Sequence, residues 1–123
     1  MLKPIVFIFL VLSGLFAISH TLAVAASLYW YYWWFDIVMH FWGGILVVLG
    51  LYALSTFSRI HIKPDFKFVL FALLAVTVSW EIFERMVGLF NQETYWFDTL
   101  KDMLVGFGGG LLAYAFLRTY TIR

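Results

Sequence analysis

Apolar residues run almost unbroken through four stretches of the chain, roughly Pro4 to Ser27, Asp36 to Phe57, Phe66 to Phe90 and Asp98 to Tyr120. Each is close to the ~20 residues that a helix needs to cross a hydrocarbon core. A helix also satisfies its own backbone N–H and C=O groups where no water is available to do so. The pattern predicts an all-α integral membrane bundle of four transmembrane helices in a single domain over residues 1–123. No linker, low-complexity tract or convincing repeat divides it. Within these runs the polar positions are few and grouped, as in "VSWEIFERMVGLF", where two glutamates and an arginine follow the lipid-like "FKFVLFALLAVTV".

Composition turns long apolar helices into membrane helices. The chain is 64% hydrophobic and 12% charged, with a mean hydropathy of +0.94, far too apolar for an ordinary soluble domain. Lys3, an apolar core and "AVAAS" together imitate a cleavable secretory signal, but the run exceeds the ~7 to 15 residues of a typical signal core. The first helix is expected to be retained.

Charge then orients the bundle. Lys3, Arg59, Lys63, Lys67, Arg118 and Arg123 all fall on one side of a four-helix arrangement, and His61 lies in the connection on that side. The opposite connections, "LYWYYWWF" and "NQETYWF", hold no Lys or Arg and are rich in the aromatic residues that favour membrane interfaces. Both termini are expected to be cytoplasmic, in a plasma (inner) membrane protein whose surroundings are membrane lipid. Topology accounts for the basic residues, so the net charge of +1 gives no reason to expect nucleic acid. With no cysteine, disulfides and thiolate chemistry are excluded.

That topology brings the ionisable residues to one level. His20 falls near the outer end of the first helix; Asp36 and His40 begin the second; Glu81, Glu84 and Arg85 occupy the outer half of the third; Asp98, Lys101 and Asp102 begin the fourth. Helical spacing puts Asp36, His40, Gly43 and Val47 on one stripe, and Asp98, Asp102 and Gly109 on another. The Gly106 and Gly110 spacing in "GFGGG" suits close helix packing, within the bundle or in a homo-oligomer. A carboxylate at the bilayer centre costs on the order of 2.5 to 3.5 kcal/mol. Arg85 can pair with Glu81 and Lys101 with Asp98, but an acidic excess remains. A divalent metal (Mg, Mn or Zn) bound by Asp36, His40, Glu81, Glu84, Asp98 and Asp102 would offset it, with His40 or Glu84 as catalytic base. His20 is a further candidate ligand. Shared protons would offset the excess too.

Blander roles fit some of the same residues. Asp36 and Asp98 suit helix N-caps, His20 suits a hydrogen-bonded packing residue, and Glu81 with Arg85 suits a register-fixing ion pair. His40, Glu84 and Asp102 sit a turn inside their helices with no obvious local partner.

The segments "FDIVMHFWGG", "WEIFERMVG" and "YWFDTLKDMLVGFGGG" resemble the D-x3-H-x3-G, E-x2-E and W-x-DT-x2-DM-x2-G pattern of YjdF-like inner-membrane proteins, which look distantly related to VanZ-like proteins. The resemblance spans Asp36 to Gly110. It implies a polar signature at Asp36, His40, Gly44, Glu81, Glu84, Asp98, Thr99 and Asp102, and a connection with the cell envelope. Glu84 stands where VanZ-like proteins tend to carry Gln, and the "GLFNQETYWF" loop is shorter than its YjdF-like counterpart. Three functions are then open: a metal-dependent enzyme on lipid or lipid-linked envelope substrates, a cation or proton transport module, and a scaffold that binds a partner protein.

Overall fold

The structure, a computed structural model, describes residues 3–57, 59, 64–86 and 95–119, apart from the side chains of Trp30 and Tyr95. His61, Lys63, Gly88 and Arg123, and the expected helix ends at 87–90 and 120, lie outside the described residues. The elements are α1 (Pro4–Ala25), α2 (Leu28–Tyr31), α3 (Trp33–Ser55), α4 (Phe66–Met86) and α5 (Tyr95–Thr119), and no strand occurs among the described residues. Four of the helices are long and apolar enough to cross a membrane. The all-α, four-span architecture expected from the pattern is the one observed.

Local chemistry sets several helix ends. Pro4 opens α1, where its missing N–H is no loss and its fixed φ suits the first helical position. At α4 the Asp65 carboxylate accepts a hydrogen bond from the Phe68 N–H at 2.8 Å, which satisfies one of the donors a helix start leaves open. Two starts differ from expectation. α3 begins at Trp33 with Tyr32 as its N-cap, and α5 begins at Tyr95, so Asp36 and Asp98 lie within first turns and neither is a cap. Bulky aromatics carry no capping signal, yet they enter helices readily once packing compensates for lost side-chain freedom. Both aspartates still face the positive end of a helix dipole.

The four-residue α2 was not foreseen. Ser27, at φ 58°, is the residue with positive φ outside glycine among those described, and this left-handed turn folds α2 back towards α1. Few non-glycine residues adopt that conformation. Here it carries Tyr29 back over His20, nine residues earlier.

The bundle is apolar at one end and polar at the other. Ile5, Val6, Val48, Leu49, Tyr52, Ala53, Val69, Leu73, Ala113 and Leu117 form a buried core where α1 and α4 begin and α3 and α5 end. Lipid is as apolar as these side chains, so the core holds through close packing. The closest pairing is α3 with α5, and glycine makes it possible. A Cβ on Gly44 would lie 1.9 Å from the Gly106 carbonyl oxygen, and one on Gly109 would lie 2.2 Å from that of Phe41. The Gly106 and Gly110 pair therefore serves packing inside the bundle. Gly43, expected on the stripe of His40, faces Phe16 of α1 instead, and Gly44 is the residue against α5. The α1 backbone closely approaches α2 and α3, and neither α4 nor α5 among the described residues.

Candidate functional site

At the polar end, α3, α4 and α5 each present carboxylates to one imidazole. His40 Nε2 lies 3.2 Å from Asp36 Oδ1, 3.3 Å from Glu84 Oε1 and 3.3 Å from Asp102 Oδ2. The helical period explains the first contact, since residues four apart share a face. The glycine-mediated approach of α3 and α5 explains the third: Gly44 lies one turn beyond His40, and Gly106 one turn beyond Asp102. Glu81 and Glu84, three residues apart and so on one face of α4, both turn inward, at 7% and 8% exposure.

Donor atoms of His40, Glu81, Glu84 and Asp102 all lie within 4.8 Å of one another, a grouping able to hold a metal ion. Asp36 joins it through His40. Asp98 falls outside that grouping and lies 3.9 Å from Lys101, in a partly exposed pair. Glu81 is buried whereas Arg85, four residues on, is exposed, and one oxygen of Glu81 accepts a long 3.4 Å contact from the Thr99 hydroxyl.

The arrangement is electrostatically lopsided. Nε2 offers one N–H or one lone pair, so it cannot bond well to three carboxylates at once. The other oxygen of Asp102, Oδ1, is buried with no hydrogen-bond partner among the described residues, and Asp102 itself is only 3% exposed. An unpartnered buried carboxylate oxygen is costly to maintain. The contacts at 3.2 and 3.3 Å are also longer than the ~2.7–2.9 Å of a charge-assisted hydrogen bond.

A ring of aromatic side chains adjoins the cluster. The Trp80 indole N–H donates to Glu84 Oε1 at 2.6 Å, the same oxygen that faces His40. Trp80 meets the His20 ring edge-on at 5.3 Å between centroids, and His20 Nδ1 lies 2.8 Å from the Tyr29 hydroxyl. Burial first, then the Asp36 and Glu84 carboxylates, push the Tyr29 phenol above its usual range. His20 is therefore held by hydrogen bonding and ring packing, and it contributes no atom to the metal-competent group. Neither Trp80 nor Tyr29 stands out in the sequence, because Trp and Tyr are expected at membrane interfaces for other reasons. The i, i+4 spacing of Trp80 and Glu84 was the available signal. Trp80→Phe keeps an aromatic ring and removes the donor, so it is expected to destabilise the protein by about 1 kcal/mol. Thermal unfolding in detergent reads this, and an unchanged midpoint would show that the bond contributes nothing.

No curated protein and no solved structure matches the chain. A family described as "Predicted membrane protein (DUF2238)" matches residues 4–123, a span that takes in every helix and every residue of the cluster. Four apolar helices and a match over nearly the whole sequence agree: the chain belongs to this family of predicted membrane proteins.

Proposed function

We propose that this integral membrane protein holds a divalent metal, Mg, Mn or Zn, among His40, Glu81, Glu84 and Asp102, with Asp36 beside His40, and uses it on lipid or lipid-linked envelope substrates. The observation that carries the reading is the convergence of three carboxylates on His40 Nε2, with Asp102 Oδ1 left unpartnered beside them. A divalent ion would supply Lewis acidity there. His40 and Glu84, the two expected bases, both fall within this ligand group. Glu81 belongs to the same group, and its Oε2 also accepts from the Thr99 hydroxyl. Asp98 with Lys101 forms a charged rim. With the basic residues directing both termini to the cytoplasm, the site lies in the outer half of a plasma membrane. The motif resemblance to YjdF-like proteins, and more distantly to VanZ-like ones, belongs to the same reading.

A structural network is the second reading, favoured by the bonds that Trp80 and Thr99 already make to the glutamates. Elemental analysis separates the two. Detergent-purified wild-type protein is expected to carry stoichiometric metal that chelation removes, and Asp102→Asn to carry little. Metal-free wild-type protein with no melting shift on added Mg²⁺, Mn²⁺ or Zn²⁺ would leave the scaffold.

A further inference from the structure

The walls around the cluster are unequal. Between α3 and α5 the wall is backbone against backbone, closed by Gly44, Gly106 and Gly109. Between α3 and α4 the approach is the sparsest of the contacts among the spanning helices. The α1 helix flanks this seam without a close backbone approach to α4, yet the His20 and Trp80 rings meet across the gap at 5.3 Å. Side chains bridge what the helices leave open, and side chains rotate where a backbone contact cannot.

We propose that the α3/α4 seam is a lateral opening, closed by His20, Tyr29 and Trp80, through which the headgroup of a membrane lipid reaches the carboxylate cluster. Each closing residue is tied to the cluster or to another closing residue. Trp80 donates to Glu84, and His20 binds Tyr29, which α2 swings over it. Rotating Trp80 outward removes its N–H from Glu84 Oε1, so opening and release of a carboxylate oxygen are one event. The surroundings specify the occupant. Val24 lies one turn beyond His20 on α1, and Phe83 packs against Trp80 on α4; both are substantially exposed. A solute from water would have to cross this apolar margin, whereas a lipid keeps its acyl chains there and moves only its headgroup inward. The proposal names the route for the lipid substrate suggested above and rests on that reading for its purpose. Its test does not depend on bound metal.

The protein in nanodiscs is photolabelled with a phospholipid carrying a diazirine in its headgroup, and adducts are mapped by mass spectrometry. Wild type is expected to show adducts on Trp80, Glu84 or Asp36. His20→Ala should raise them several-fold relative to adducts on Ile82 and Phe83. Tyr29→Phe, which keeps the ring and breaks only the bond to His20, should raise them less. Adducts confined to Ile82, Phe83 and other exposed positions in all three proteins would overturn the proposal. Metal content is measured on the same samples. Inner labelling without metal would keep the opening and refute the metal reading, and metal without inner labelling would do the reverse.

Discussion

His40→Ala is expected to lose both metal and stability. Without the imidazole, Asp36, Glu84 and Asp102 stay in place and lose the group on which all three converge. Removing one partner from a buried ionic group costs ~3–5 kcal/mol, because the remaining charges stay buried and uncompensated. The loss of metal affinity should exceed the ~10 to 100-fold typical of a change outside the coordinating residues. A ligand at 100 times its Kd stabilises the folded state by ~2.7 kcal/mol. Wild type should therefore melt higher when Mn²⁺ or Zn²⁺ is supplied, and the variant should not respond. The measurement is thermal unfolding with and without ion, alongside elemental analysis. A variant that is merely less stable, beside a wild type equally indifferent to metal, would point to a structural network. An unchanged midpoint with metal retained would remove His40 from the site altogether.

Gly44→Ala should be nearly as damaging although it adds one methyl group. The new Cβ would sit 1.9 Å from the Gly106 carbonyl oxygen, 2.8 Å from its carbon and 3.0 Å from the Gly110 nitrogen. All three are backbone atoms, so no rotamer change relieves the clash and the helices must separate. Overpacking of this kind costs about 3 kcal/mol. Separation also draws His40 away from Asp102, so metal content should fall with stability. Gly14→Ala and Gly108→Ala are the controls. A Cβ at either meets nothing within 4 Å, and alanine is the better helix former, so both should melt at or slightly above wild type. Equal effects at all three positions would show that helix propensity, and no close approach, governs these glycines.

Spans, hydrophobic pattern and the grouping of His40, Glu81, Glu84 and Asp102 at one level were legible because depth and helical face follow from fixed rise and rotation. What escaped depends on distances between helices. Nothing local distinguishes Gly43, against a Phe16 ring, from Gly44, against a backbone. Asp98 and Asp102 share a face, but Asp98 lies one turn nearer the helix end, beyond the point where α3, α4 and α5 converge, and meets Lys101 instead. The α2 turn rests on Ser27 in a conformation that serine seldom takes, so sequence preference pointed elsewhere. Trp80 was hidden by its residue type: an indole serves an interface and a carboxylate equally well.

The distribution of the cluster over α3, α4 and α5 bears on how the protein is made. As the chain leaves the ribosome, Asp36 and His40 reach the membrane first, then Glu81 and Glu84, while Asp102 arrives only with α5. Until then α4 carries two carboxylates whose partners are incomplete, each adding on the order of 2.5 to 3.5 kcal/mol to its insertion if deeply placed. The glycine-lined contact that holds His40 beside Asp102 also awaits α5. Helices that are costly alone and compatible together are best released into lipid as a group. The translocon would then be expected to retain α3 and α4 until α5 has emerged, leaving α1, the most apolar of the four, free to enter the bilayer on its own.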